Sequence, residues 1–174
     1  MATESLGFER ANDSREARFK QILNLHGDLV SAICFSFANR RNEFEDLRQD
    51  ALVNIWKGLA GFHGDADVKT WIYRVTLNTC LSNYRKSSSQ PAYFDSLENV
   101  AGISAAGVAR DEVDYLHMLI SMLNPEEKGI ILMWLDVHSY DEIADVMGLK
   151  RNTVATRIHR IREKLKSLAD NSKI

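Results

Sequence analysis

The sequence predicts an all-α protein, and three observations favour this fold class. Apolar residues recur at spacings of three and four in nearly every long segment of the 174 residues, which is the period of an amphipathic helix. No run alternates apolar and polar residues as a half-buried strand would. Only two prolines occur, Pro91 and Pro125, so few segments are barred from helix formation.

Three helices are predicted in the amino-terminal half, and together they predict a first domain over residues 14–86. The second helix ends near Gly58, and a polar loop continues to about Lys69. A third helix, apolar almost all round, runs from Thr70 to about Lys86. The stripes of the first two helices contain Phe19, Ile22, Leu23, Leu29, Val30, Ile33 and Phe37, then Phe44, Leu47, Ala51, Leu52, Ile55, Trp56 and Leu59.

Residues 87–111 change character, with consecutive serines, small residues, several acids and no sustained apolar stripe. This composition predicts a flexible acidic linker. Helical patterning resumes in residues 112–170, which we interpret as a second domain. The protein is thus expected to be two small helical domains joined by a linker.

Local signals place the helix ends in the second domain. Asn124 and Pro125 stand before two acids, a favourable N-cap, first residue and first turn. Ser139 lies three residues before Glu142, as in a capping box. Gly148 suits the end of that helix. A short capped helix, a glycine turn and a second helix together predict a helix-turn-helix, whose second helix would enter the major groove of DNA.

The final helix, from about Arg151 to Leu168, concentrates positive charge although the chain has a formal net charge of -2. Its segment from residue 150 to 166 holds seven basic residues and one acid, a segregation that suits phosphate contact. An ordinary solvated basic face is the alternative, and the preceding capped helix favours DNA. The stripe facing the core is Val154, Ile158, Ile161 and Leu165.

Helical geometry separates two kinds of DNA contact on this last helix. Candidates for base edges, which point away from the stripe, are Asn152, Thr156, His159 and Arg160. Candidates for phosphates, which flank the stripe, are Arg151, Arg157 and Arg162.

The first domain offers an acidic and a basic surface, which predicts one protein partner and one nucleic-acid partner. Acids cluster at the start of the second helix. The third helix carries Arg74, Asn78 and Arg85 on a polar stripe beside aromatic residues, a combination that suits unpaired bases. A core role is the alternative for the aromatics: Trp56 is expected in the core, whereas Trp71 is equally compatible with the core and with base stacking.

Two stretches resemble the extracytoplasmic-function (ECF) sigma factors of the sigma-70 family, and together they span most of both domains. The first runs from Glu45-Asp46-Leu47-Arg48-Gln49-Asp50 through Trp56, Phe62, Gly64-Asp65, Lys69-Thr70-Trp71-Ile72-Tyr73-Arg74 and Asn78. The second includes Leu123, Ser139-Tyr140-Asp141-Glu142-Ile143-Ala144, Gly148, Thr153-Val154, Arg157, His159-Arg160 and Arg162.

The resemblance implies a sigma factor that brings RNA polymerase to promoters and opens DNA. It implies docking on the clamp of the polymerase's largest subunit through Glu45, Asp46, Gln49 and Asp50. It implies capture of a flipped minus-ten base by Phe62, His63, Gly64, Asp65, Lys69, Thr70, Trp71, Arg74 and Asn78. It implies minus-thirty-five reading by Arg151, Asn152, Thr153, Thr156, Arg157, His159 and Arg160. Further implied partners are the flap of the second largest subunit and an anti-sigma factor.

Three positions depart from the usual pattern of the family. Lys150 replaces a common serine cap, so the cap of the last helix passes to Asn152 or is absent. Ala155 replaces a common basic residue, and Ser82 a frequent aspartate. Ala155 therefore predicts a departure from the usual minus-thirty-five sequence.

Other function classes receive less support from the sequence. A dimeric helix-turn-helix repressor or activator would explain the second domain but not the acidic face. We expect no enzyme, cofactor or metal site, since the five histidines lack ligand spacing and no phosphate loop or nucleophile with a base occurs. Cys34 and Cys80 are predicted to be buried free thiols. Without a signal peptide or an apolar span of roughly 20 residues, the protein is expected to be cytoplasmic.

Overall fold

The computed structural model describes the backbone of residues 2–87 and 110–171, and the side chains of residues 14–86 and 115–171. Within these ranges the chain is helical and has no strand, which confirms the predicted fold class. The predicted linker, 87–111, lies outside the described residues apart from its ends, which belong to helices. The helices are α1 (Ala2–Phe37), α2 (Arg41–Gly58), α3 (Val68–Ser87), α4 (Arg110–Ser121), α5 (Pro125–Leu135), α6 (Tyr140–Met147) and α7 (Arg151–Asn171), with a short 3-10 helix at Leu59–Gly61.

Helices α1, α2 and α3 form a three-helix bundle around the predicted apolar stripes. Val30 and Ile33 of α1, Ile55 of α2 and Leu77 of α3 are almost fully buried in its core. Trp56 was expected in the core but is only partly buried, because it lies at the margin of the bundle, where its ring and that of Phe19 form a T-shaped pair with centroids 5.3 Å apart. Arg15 covers the same indole at 4.3 Å from the ring centroid.

The two cysteines are free and buried, as predicted. Cys34 of α1 and Cys80 of α3 lie close enough for their thiols to interact, and this hydrogen bond together with burial raises the pKa of Cys80. A thiol whose pKa is raised forms little of the reactive thiolate. Both cysteines therefore serve as small apolar core residues.

Helices α4 to α7 form the second bundle, and the predicted end signals operate as expected. Glu127 N–H donates to Asn124 Oδ1 over 2.9 Å and Glu127 Oε2 accepts from Asn124 N–H, so a capping box that we had not identified starts α5. The predicted box at α6 is present, with Ser139 N–H donating to Glu142 Oε2 over 2.8 Å. Gly148 ends α6 with φ +66, where a left-handed residue is needed.

The two bundles pack directly against each other. Helix α3 contacts α5 and α6, and α1 contacts α4 and α5. Buried residues of both bundles belong to one continuous apolar cluster. Gly129 of α5 lies at this contact, where an added Cβ would be 3.6 Å from Leu77 Cδ2 of α3 and 3.2 Å from the side chain of Met147 of α6. The sequence predicts two domains but not this contact between them.

Val137, in the turn between α5 and α6, is held in a strained backbone conformation. Its φ is 64, and it is the one non-glycine residue with positive φ in the described part of the chain. A β-branched side chain in this region costs on the order of 1–3 kcal/mol. Its side chain is 91% exposed, so packing does not offset the strain.

We expect Val137→Gly to stabilise the protein by about 1 kcal/mol, because relief of the strain exceeds the added freedom of the unfolded chain. The melting temperature should rise by about 2–4 °C in thermal unfolding followed by circular dichroism. Val53→Gly is the matched control, since Val53 is exposed in ordinary helical backbone of α2 and should lose stability. Equal losses in both variants would contradict the strain at Val137.

Candidate polymerase and nucleic-acid interfaces

The predicted acidic docking face consists of Glu45, Asp46, Gln49 and Asp50, and all four side chains are exposed. Their spacing along α2 places them opposite the buried residues Phe44, Leu47 and Ala51. Asp50 Oδ2 accepts a hydrogen bond of 2.9 Å from Asn83 Nδ2 of α3. The docking face is thus a solvated acidic surface on a rigid helix.

The loop before α3 brings two predicted minus-ten residues together. The rings of Phe62 and Trp71 stack with centroids 4.7 Å apart and planes 27° apart. Trp71 also lies against Gly58, where an added Cβ would be 3.0 Å from Trp71 Cζ2. The Trp71 indole is therefore partly buried beside the core, and the Phe62 ring stacks on one of its faces. This position lies between the core role and the base-stacking role considered for Trp71.

The middle of this loop is exposed, and Asp67 near its end caps the start of α3. His63, Gly64 and Asp65 lie at the surface, and Gly64 has φ +87, which favours glycine. Asp67 Oδ1 accepts from Lys69 N–H over 2.9 Å at the start of α3. Asp67 was not identified from the sequence, although an aspartate before an apolar helix is a capping signal.

The predicted minus-ten residues of α3 differ in their access to solvent. Asn78 is exposed. Thr70 is only 7% exposed, and its Oγ1 donates to Glu142 Oε1 of α6 over 3.2 Å. Lys69 Nζ lies 2.8 Å from Asp136 Oδ1, and Arg74 Nη2 lies 2.6 Å from Asp145 Oδ2.

Helix α7 presents the face that the sequence predicted. Val154, Ile158 and Ile161 are buried, and the opposite residues Asn152, Thr156, His159 and Arg160 are exposed. Thr156 Oγ1 donates to the Asn152 carbonyl over 3.0 Å, which leaves the Asn152 amide, His159 and Arg160 as the groups best placed for base edges.

The flanking arginines of α7 have neighbours within their own domain. Arg157 Nη1 lies 2.8 Å from Glu126 Oε2, and Arg151 Nε lies 3.4 Å from Asp141 Oδ1. Arg162 lies over the ring of Trp134, with its guanidinium carbon 5.2 Å from the centroid. These contacts hold the cations beside the exposed face, while Thr153 is partly buried next to them.

Comparison with known protein families assigns both bundles. The sigma-70 region 2 model matches residues 22–90, and the sigma-70 region 4 model matches residues 114–165. The order of the two matches follows the order of the acidic-aromatic bundle and the helix-turn-helix bundle. The chain belongs to the ECF sigma factors of the sigma-70 family.

Curated relatives agree with this assignment along most of their length. The chain is 28% identical over 165 residues to the ECF RNA polymerase sigma factor SigW of Bacillus subtilis, covering 85% of this chain and 87% of the relative. It is 29% identical over 175 residues to the sigma factor CnrH of Cupriavidus metallidurans, covering 92% and 91%. The chain is thus a sigma factor for transcription initiation, and the alternative of a dimeric repressor or activator is not supported.

Solved structures share the arrangement of helices. CnrH in complex with the cytosolic domain of CnrY superposes with a TM-score of 0.65 at 27% identity, covering 90% of each chain. The sigma factor RpoE in complex with the anti-sigma factor NepR, from Bartonella quintana, gives a TM-score of 0.72 at 24% identity, covering 88% of this chain and 97% of RpoE. The second likeness concerns the fold alone.

Lys150, Ala155 and Ser82, the three positions named above as departures from the family pattern, differ in their structural settings. Lys150 directly precedes α7, and its carbonyl accepts from Val154 N–H over 3.1 Å. Lys150 therefore occupies the N-cap position, where its ammonium cannot accept a hydrogen bond. Ala155 is partly buried and Ser82 is exposed; nothing in the structure explains the serine.

Sequence reasoning missed the residues at the contact between regions 2 and 4. Tyr73 is 3% exposed, and burial together with Asp136 raises its pKa. His138 is buried, with its ring centroid 4.7 Å from that of Tyr73 and its Nδ1 3.2 Å from the Met133 carbonyl. Glu142 was identified as a helix cap; hydrogen bonds from the Ser139 backbone and hydroxyl lower its pKa.

Two further features of the described residues bear on function class. They contain no group of three or more side chains that could hold a metal ion. None of their helices combines the length and apolar character needed to cross a membrane.

Proposed function

We propose that this sigma factor binds core RNA polymerase and opens promoter DNA through three separate surfaces. The observation that carries the proposal is their chemistry: an acidic face on α2, an aromatic and cationic face at the start of α3, and a basic face on α7. A sigma factor needs a protein anchor, a site for unpaired DNA and a site for duplex DNA. Melting then follows from tighter binding to the open state, and no catalytic group is required.

The acidic docking face would anchor region 2 to the clamp of the largest polymerase subunit. Its exposed carboxylates are held on one helix, so a basic partner can meet them without ordering a loop. Rim charges of this kind accelerate association and select partners. Region 4 would bind the flap of the second largest subunit.

The minus-ten face would hold one flipped base and its strand. It comprises the loop 62–65 with Lys69, Thr70, Trp71, Arg74 and Asn78. The exposed amide of Asn78 and the partly exposed cations of Lys69 and Arg74 lie beside an aromatic stack, which suits an unstacked base and its phosphates. The Thr70 hydroxyl would join them once it is no longer buried. Extruding a base costs a few kcal/mol, which these contacts would offset.

The face of α7 would read the minus-thirty-five element as duplex. Arg160 can donate two hydrogen bonds to guanine, and Asn152 can bridge adenine. Arg151, Arg157 and Arg162 would contact phosphates and fix the register of the helix, with Thr153 beside them at the duplex.

The domain limits follow the same division of labour. Residues 14–86 would form the docking and melting domain, and residues 112–170 the minus-thirty-five domain. The linker 87–111 would pass toward the active-site cleft and exit channel of the polymerase. We also propose that the protein works in the cytoplasm.

We propose regulation by an anti-sigma factor. Two sigma factors of similar fold were solved as complexes, one with the cytosolic domain of CnrY and one with the anti-sigma factor NepR. The apolar residues Leu116 and Met118 of α4, and Met122 directly after this helix, are exposed on region 4 and would contribute to such a contact.

Run-off transcription with purified core polymerase on a genomic library tests the proposal. Added sigma factor should produce discrete transcripts that core polymerase alone does not make. In gel filtration the sigma factor alone should elute as a monomer, and after mixing with core polymerase it should elute together with the polymerase. A stable homodimer that produces no transcripts on any template would refute the proposal.

A further inference from the structure

Three carboxylates of region 4 form ion pairs or hydrogen bonds with three side chains of the proposed minus-ten face. We name Asp136, Glu142 and Asp145 the acidic edge; they lie at the end of α5 and along α6. Asp136 pairs with Lys69, Glu142 accepts from Thr70, and Asp145 pairs with Arg74. The contacts span sequence separations of up to 72 residues, so they belong to the packing of the two regions and not to either bundle alone.

The acidic edge offers these groups what a DNA strand would offer them. Phosphate and carboxylate oxygens are both anionic acceptors, and arginine and lysine bind either one. Thr70 is also buried under α6, so the hydroxyl cannot reach a base while region 4 is in place. The strand and the acidic edge therefore exclude each other.

We propose that the acidic edge is an intramolecular competitor of the promoter strand, which keeps the free sigma factor closed until region 4 moves away from α3. This regulation concerns the proposed minus-ten face and therefore rests on the proposed function. If the closed state dominates, the apparent affinity for a strand equals the affinity of the open state multiplied by the fraction of molecules that are open.

The contact contains features that limit the stability of the closed state. Its ion pairs are partly solvated, with side chains of Arg74 and Asp145 exposed by 40% and 79%, and each such pair shifts an equilibrium by at most about fivefold.

A buried cation also opposes the closed state. Lys128 of α5 is 7% exposed, with its Nζ 5.8 Å from the Phe37 ring centroid of α1. Burial lowers the pKa of Lys128, an effect that Glu43 partly offsets. Burying this ammonium opposes closure.

Two variants should move the equilibrium in opposite directions. Asp145→Lys places a cation against Arg74 and should open the protein. Lys128→Met removes the buried ammonium at similar volume and should favour closure. Asp141→Lys is the matched control for the first variant, because it makes the same charge change on α6 but at Asp141, whose partner Arg151 belongs to region 4.

The experiment uses the full chain without polymerase and measures two quantities. Small-angle scattering gives the radius of gyration, and fluorescence anisotropy gives the affinity for a labelled single-stranded DNA of mixed sequence. Asp145→Lys should increase the radius and bind the strand about tenfold more tightly than Asp141→Lys. Lys128→Met should bind more weakly than the unaltered chain, with no larger radius.

The outcomes separate this competition from the proposed function. If Asp145→Lys and Asp141→Lys have equal radii and equal affinities, while Asn78→Ala still weakens strand binding, the competition is overturned and the minus-ten face stands. If Asp145→Lys expands the protein without any gain in strand affinity over its control, both the competition and the proposed minus-ten face are overturned. Circular dichroism of each variant verifies that the helices are retained.

Discussion

Reversing Asp46 and Asp50 to lysine is expected to weaken binding to core RNA polymerase by about 3 kcal/mol, or roughly a hundredfold in Kd. Both carboxylates are exposed on α2 and belong to the proposed docking face. The double variant replaces attraction to a basic partner with repulsion, and like charges across an interface cost several kcal/mol. Titration of labelled sigma factor with core polymerase measures the change.

A control of equal charge is available on another helix. Glu16 and Asp28 are exposed on α1, and reversing both produces the same net charge without touching α2. This control should bind polymerase almost as the unaltered chain does. Because Asp50 also accepts from Asn83, thermal unfolding must show that the docking variant is folded. Undiminished polymerase binding by a folded docking variant would mean that the docking face lies elsewhere.

The helices were predictable because their determinants are local. The spacing of Val154, Ile158 and Ile161 identifies the buried stripe of α7 whatever it packs against. Ser139 and Glu142 cap α6 through hydrogen bonds three residues apart, and Gly148 supplies the left-handed turn. Such interactions are encoded within one helical turn, so the sequence displays them directly.

The contact between regions 2 and 4 was not predictable, because it joins residues that are far apart in the chain. Lys69 and Arg74 were identified as cations, but their carboxylate partners depend on how α3 packs against α6. Tyr73 and His138 likewise are buried and contact each other across this packing. Val137 shows a different obstacle: the sequence places an ordinary β-branched residue in a turn, and only the backbone reveals its positive φ.

Arg160→Ala and Asn78→Ala are expected to impair different steps of initiation. Arg160 is exposed on the face of α7 opposite the buried stripe, and losing a two-hydrogen-bond contact to guanine should weaken duplex recognition by about 1–3 kcal/mol. Asn78 is exposed on α3, and its loss should reduce open-complex formation by about 1–3 kcal/mol, on the order of a base contact, while leaving duplex binding intact.

The separation between the two steps decides whether the two regions divide recognition as proposed. Holoenzyme binding to a duplex minus-thirty-five fragment measures the first step, and permanganate footprinting of the melted strand measures the second. Arg162→Ala is a control on α7, since Arg162 lies over Trp134 at the flank of the reading face; it should weaken all duplex sequences alike and reduce the salt dependence. Only Arg160→Ala should lower discrimination between sequences. Equal damage to both steps by Arg160→Ala and Asn78→Ala would contradict the division, because one surface would then serve duplex and open strand together.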